Sequence, residues 1–182
     1  THTLTLFLLC EDMLEVGNLA NVTEDRTHFG AWAIMSSPLI LSFNLTNRVQ
    51  MDRVWPVISN TRVLQINQRW AGSPGRRLTL SQEGWQAWAK PMGASSFAVF
   101  LMNTGRLSTK VSLPLQNISA GFAPSTAICA RDMYTGEALA PLQAGEPLEA
   151  ELLVHDSTMV CVWARSGHNG CDGTAANECP HR

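Results

Sequence analysis

The stretch Cys10-Glu11-Asp12-Met13-Leu14-Glu15-Val16-Gly17-Asn18 decides how the first half of this chain is read. Asp12 stands where the apolar run 3–9 (Thr-Leu-Thr-Leu-Phe-Leu-Leu) gives way to a polar, glycine-bearing turn. The alternating start of that run reads as a buried strand. A carboxylate at the mouth of such a strand is a common way to build a ligand site on an α/β barrel. The run has no basic flank before it and no small-residue cleavage site after it, so it is not read as a signal peptide.

Working outward, Thr23-Glu24-Asp25 offers a capping hydroxyl and first-turn acids, the opening of a helix. Phe29, Trp32, Ala33 and Ser36 share one helical face, and Pro38 ends the run. Residues 39–41 (Leu-Ile-Leu) read as a short buried strand, and Asn44-Leu45-Thr46 leaves it as a loop. A further helical stretch is expected over 50–67, interrupted by Pro56. Strand, helix, strand, helix is the signature of parallel βα units. An eight-fold barrel takes about 200 residues or more, so residues 1–72 hold at most its last two βα units.

The character changes at the glycine- and proline-bearing segment 71–75, which reads as a linker or sharp turn. Beyond it, β-like runs are expected at 77–80, 85–89, 96–102, 110–113, 126–131, 148–154 and 159–164, punctuated by Gly, Pro and Asn. Their spacing predicts an antiparallel sandwich of seven or eight strands. The expected fold is therefore α/β plus all-β: residues 1–72 a (β/α)8 barrel remnant, 73–165 a β-sandwich, and 166–182 a polar tail.

The 182 residues carry a formal net charge of −2, with 45% hydrophobic and 15% charged residues. That is a globular composition, without the basic field that would gather nucleic acid or anionic lipid. No apolar run approaches the roughly 18 to 20 residues of a membrane span. Three sequons, at Asn21, Asn44 and Asn117, together point to the secretory pathway. Five cysteines agree with it. Cys129 and Cys161 lie in β-like runs and can pair across a sheet; Cys171 and Cys179 can close a small loop, leaving Cys10 over. His168, Cys171, Cys179 and His181 have zinc-ligand chemistry but the spacing of no familiar finger, and a secretory context favours a disulfide. No metal or other cofactor is expected.

Several ordered motifs resemble one family. The glycoside hydrolases that include the α-galactosidases and α-N-acetylgalactosaminidases carry, in order, W-N-D-P-D-M-L-x-x-G-N, R-T-H-F-x-x-W-A-x-x-x-x-P-L and V-I-x-I-N-Q-D. Here the first stands as Asp12-Met13-Leu14-Glu15-Val16-Gly17-Asn18. The second is Arg26-Thr27-His28-Phe29-Gly30-Ala31-Trp32-Ala33 with Pro38-Leu39, and the third Val63-Leu64-Gln65-Ile66-Asn67-Gln68. Trp85-Gln86-Ala87-Trp88-Ala89-Lys90-Pro91 is similar to the family's E-V-W-x-x-P-L strand. The resemblance covers roughly residues 11–164. It departs at Leu8-Leu9-Cys10-Glu11, at Asn44, where the family has an aspartate, and at Arg69, which replaces the last aspartate of N-Q-D.

The resemblance implies retaining hydrolysis of terminal α-galactosyl linkages by two carboxylates about 5 to 5.5 Å apart. In the family both lie on earlier barrel strands, so it implies that none of the residues here is catalytic and that this chain alone is inactive. Asp12 and Met13 inherit a sugar-binding role. An α-galactoside as partner, a homodimer of the full-length protein and a secreted, lysosomal or vacuolar location are further implications. The competing reading is a non-catalytic carbohydrate-binding or accessory β-sandwich module.

Other conspicuous residues are read as structural. His28 lies near Trp32 as a packed helix residue. Trp32, Trp88 and Trp163 fall on apolar faces. Glu137, Glu146, Glu149 and Glu151 sit among Ala, Gly and Pro, as on a solvated hairpin edge.

Overall fold

The computed structural model describes residues 13–78, 84–93, 96–120, 122, 126–143, 145–165 and 171. The expected strand at 3–9, Asp12 and Cys179 lie outside the described residues. Three helices come first: α1 (Val22–Met35), α2 (Arg48–Ile58) and α3 (Thr61–Gln68). Each starts on an asparagine whose side chain accepts a backbone N–H of the first turn, as an N-cap must. For α1 that residue is Asn21, bonded to the Glu24 N–H at 2.9 Å, not the expected hydroxyl of Thr23. The helix stops at Ser36, which turns left-handed at φ 59 and returns its N–H to Ala33.

The helix expected over 50–67 is two helices. Pro56 is carried inside the last turn of α2, and the chain breaks at Ser59–Asn60. There the Asn60 side chain accepts from the N–H groups of Arg62 and Val63 and restarts the helix. A short polar side chain able to replace backbone partners favours a new cap over continuation. The expected strand at 39–41 is a single parallel bridge between Leu14 and Leu41, with Leu14 N–H on the Ile40 carbonyl at 2.8 Å.

Eight antiparallel strands follow: β1 (Arg76–Arg77), β2 (Trp85–Gly93), β3 (Ser96–Asn103), β4 (Thr109–Pro114), β5 (Ala127–Asp132), β6 (Leu142–Gln143), β7 (Pro147–Leu152) and β8 (Ser157–Ala164). Six form one sheet in the order β1-β2-β3-β8-β5-β6, and β4-β7 form a second. Pro91 sits in β2 without breaking it, because β1 pairs only with Trp88 and Ala89. Among the described residues no strand pairs with Pro91 on the β1 side, and an edge position tolerates the missing N–H.

The large sheet is buried on both faces. Trp85, Ala87, Ala89, Val99, Leu101, Val160 and Val162 face the small sheet. Met92, Ala98, Phe100, Met159, Cys161 and Trp163 share a core with Phe29, Ala33 and Ile34 of α1 and Val63 and Ile66 of α3. Period-two alternation separates these two sets along each strand. The architecture is helices, sheet, sheet. Segment 71–75 is packed, not free: Gly75 donates its N–H to the Ile34 carbonyl at 2.8 Å. A Cβ at Gly75 would lie 2.5 Å from that oxygen.

A disulfide joins Cys129 to Cys171, Cα atoms 5.3 Å apart, so Cys129 is not bridged to Cys161, which is itself disulfide-bonded. In the β5–β8 ladder Cys129 faces Trp163 and Cys161 faces Arg131. The two cysteines are thus diagonal neighbours, and such pairs stand about 7–8 Å apart, too far for an unstrained bridge. The Cys171–Cys179 loop and a zinc role for Cys171 fall with the same observation.

Candidate functional site

The residues with motif chemistry gather where the Leu14–Leu41 bridge meets α1. Met13 is 47% exposed at its start. After Leu14 the chain turns at Gly17, φ +93, where a Cβ would strike the Phe43 ring at 2.8 Å. The turn is held from beneath by a buried ion pair. Asp25, fully buried, accepts the Gly17 N–H at 2.8 Å and meets Arg53 Nε at 3.1 Å. Arg53 in turn donates to the carbonyls of Gly17 at 2.8 Å and Leu19 at 3.1 Å. Gln50 adds a bond to the Gly17 carbonyl at 3.0 Å.

Asn18 donates to Ser42 at 3.2 Å and to Glu15 at 3.4 Å, tying the two strand ends together. His28 receives the Glu15 backbone N–H on Nε2 at 3.1 Å, so its proton is on Nδ1. The ring lies 4.0 Å from that of Trp32. Burial pushes the His28 pKa down, against the opposing pull of Glu15 and Asp25. His28 is a neutral acceptor holding the turn, in line with its structural reading. Below the edge an open cavity of about 450 Å³ is lined by Leu14, Phe29, Leu39, Leu41, Trp55 and Leu64, among others.

Chemically this edge can present backbone and amide groups to a ligand. Its carboxylates among the described residues are Glu15, exposed and bonded to Asn18, and Asp25, committed to Arg53. The described residues hold no group of three or more His, Cys, Asp or Glu fit for a metal ion. The three sequon asparagines, Asn21, Asn44 and Asn117, are exposed. Asn44 accepts both the N–H and the hydroxyl of Thr46, at 3.0 and 2.8 Å.

Two family motifs meet the β-sandwich instead of the edge. Arg26 pairs with Asp156 at 2.6 Å and stacks 5.0 Å above the Tyr134 ring. Thr27 donates to the His155 carbonyl at 2.9 Å and lies 2.9 Å from the Ser157 hydroxyl. Tyr134 shares that hydroxyl at 3.0 Å. Gly30 lets α1 touch the sheet: a Cβ there would meet Phe100 and the Tyr134 hydroxyl at 2.6 Å. Behind α3, Lys90 is fully buried. Its ammonium donates to the carbonyls of Ile66 and, at 3.2 Å, Asn67, at the negative end of the helix dipole. Asn67 itself bonds the Ser37 carbonyl at 2.9 Å. Sequence reading missed these docking contacts and the Asp25–Arg53 pair. The only signal was a charged residue at an otherwise apolar β2 position and an aspartate on the inner face of α1.

A profile of the α-galactosidase C-terminal β-sandwich domain matches residues 82–162, a segment spanning β2 to most of β8. The chain belongs to the family of the α-galactosidases and α-N-acetylgalactosaminidases. It is 32% identical to an α-galactosidase of Oryza sativa over 149 residues, 81% of this chain and 34% of that protein. It is 27% identical to an α-N-acetylgalactosaminidase of Gallus gallus over 137 residues, 74% of this chain and 33% of that protein. The crystal structure of α-galactosidase I from Mortierella vinacea superimposes with a TM-score of 0.72 at 26% identity, over 86% of this chain and 40% of that one. The chain thus spans about a third of the length of the curated relatives it matches. The described α-galactosidase-family fold is mostly antiparallel sheet with a helical layer on one face.

Proposed function

We propose that this chain is the C-terminal portion of an α-galactosidase-type retaining glycoside hydrolase acting on terminal α-galactosyl linkages. One observation carries the reading. An α-galactosidase β-sandwich is docked, through family-motif residues Arg26, Thr27 and Gly30, against helices that follow a parallel strand contact. In this reading residues 1–72 are the last two βα units of a (β/α)8 barrel and 73–165 its C-terminal domain. The open apolar cavity beside Leu14 and Leu41 fits a surface on which further barrel units pack, since parallel strands are covered on both faces in barrels.

The nucleophile and the acid/base then come from earlier barrel strands, outside these 182 residues, and Asp12 and Met13 line the sugar pocket. The exposed sequons carry glycans in a secreted, lysosomal or vacuolar protein, and the full-length enzyme is a homodimer. The test is turnover of a chromogenic α-galactoside by the chain as given. No activity above background is expected. Activity abolished by Asp12→Asn would overturn the assignment of catalysis elsewhere. Titration with melibiose separates the alternative: binding unaffected by Asp12→Asn would indicate an accessory carbohydrate-binding module.

A further inference from the structure

The segment 14–19 is bonded to three different parts of the fold. Leu14 gives its N–H to the Ile40 carbonyl and accepts the Ser42 hydroxyl, and Glu15 gives its N–H to His28. Gly17 has both backbone groups occupied. Its N–H goes to Asp25 of α1 at 2.8 Å. Its carbonyl receives Arg53 at 2.8 Å and Gln50 at 3.0 Å, both from α2. The same Arg53 nitrogen, Nη2, reaches the Leu19 carbonyl at 3.1 Å. We infer, on the sugar-binding role proposed for Met13, that Arg53 is a positioning residue for that wall of the pocket: acting through Gly17, it fixes where Met13 lies.

The turn needs such a hold. At φ +93 it requires glycine, and glycine is also the residue with the most backbone alternatives. Its own sterics therefore do not keep it in place, and bonds from outside must. Leu14 is buried and Met13 is 47% exposed, the alternation of an extended segment. A swing of the turn at Gly17 is thus passed to Met13 through a short stretch of chain. Arg53 does more than neutralise Asp25. Its Nε lies 3.1 Å from Asp25 Oδ2, yet neither atom has an aligned hydrogen bond among the described residues. Its aligned bonds go to the two carbonyls of the turn, and bonds from a charged donor are the stronger kind. Asp25, fully buried, holds the Gly17 N–H and keeps the guanidinium beside it. Gln50, Arg53 and Asp25 all lie outside the family motifs, the second of which begins at Arg26 and the third at Val63.

Methyl NMR of the full chain with isotope-labelled methionine reads fold and binding together. The chain has seven methionines. Met13→Leu identifies the Met13 resonance, and the buried Met92, Met133 and Met159 report whether a variant is folded. On titration with melibiose the wild-type Met13 resonance should move. Arg53→Met should weaken the apparent affinity roughly 10-fold, the equivalent of one hydrogen bond from a charged group, with the three core resonances in place. Gln50→Leu removes a neutral bond to the same carbonyl and should weaken binding roughly 3-fold; it decides the matter if Arg53→Met loses the core resonances. Wild-type affinity in a folded Arg53→Met, or in Gln50→Leu where Arg53→Met does not fold, overturns the positioning role and leaves Met13 as a sugar contact. A wild-type Met13 resonance that ignores melibiose overturns the sugar-binding reading itself, and the role of Arg53 with it.

Discussion

Lys90→Met reports on the one cation that is completely buried among the described residues. The side chain is sealed between β2 and the C-terminal end of α3, its ammonium on the carbonyls of Ile66 and Asn67 and paired with no carboxylate among the described residues. Desolvation brings its pKa from 10.5 down to about 8. Between those values the unfolded chain holds a proton that the folded chain has released, so stability rises with pH across that window. Below pH 8 the cost of the buried ammonium is constant. The whole shift corresponds to about 3 kcal/mol, of which about 2 kcal/mol falls between pH 7.5 and 9.5. Tyr134 acts in the opposite direction. Burial raises its pKa above 10.0, against the opposing hydrogen bond to Ser157, so stability is lost as pH climbs past that value. The chain contains a single tyrosine and only one other lysine, Lys110, which is exposed. The expected profile is a rise in the urea midpoint of about 1 M from pH 7.5 to 9.5, then a decline. Lys90→Met should flatten the rise and keep the decline. A wild-type midpoint that is level or falling between pH 7.5 and 9.5, with the variant parallel to it, would refute the argument.

Gly30→Ala should destabilise by about 1–3 kcal/mol, because its Cβ would enter the Phe100 ring and the Tyr134 hydroxyl at 2.6 Å. Thermal unfolding measures this, and the smaller Phe100→Leu should recover part of it if the clash is the cause. Asp25→Ala removes the buried partner of Arg53 and the acceptor for Gly17. The expected cost is about 3 kcal/mol, the lower end for a broken buried pair, since Arg53 is 32% exposed. Hydrogen exchange should show the Gly17 amide opening first. Replacing Cys129 and Cys171 by alanine releases a loop with sequence separation 42, worth about 4 kcal/mol in the chain-entropy account. Chemical denaturation in the absence of reductant checks it, and the strands should keep their circular dichroism below the transition.

The sandwich was legible because its strands alternate. Seven β-like runs are found at or within a few residues of β1–β5, β7 and β8; the omitted β6 is two residues long and has no pattern to read. Helix ends were less legible. Asn21, Asn47 and Asn60 cap three helices, yet asparagine also reads as a turn or a sequon, and only the bonded N–H decides. Cysteine pairing was illegible for a different reason. Whether two cysteines on neighbouring strands are opposite or diagonal depends on register, and a shift of two residues moves a pair from bonding distance to out of reach.

The family motif Arg26-Thr27-His28 illustrates why chemistry is harder to read than fold. Its residue types are those of an active site: a cation, a hydroxyl and an imidazole in sequence. On a helix, successive residues point about 100° apart, so the three cannot converge on one ligand. The structure sends Arg26 and Thr27 to the β7–β8 turn and His28 to the backbone of Glu15. Arg26 and Thr27 thus anchor the β-sandwich and His28 the strand edge, and together they fix α1 between the two. A motif of polar residues on adjacent helical positions is thus better explained as a junction than as a site. Met13, next to the Leu14–Leu41 bridge, faces no such geometric objection, so the sugar-binding proposal stays with the residues before the turn and not with those of the helix.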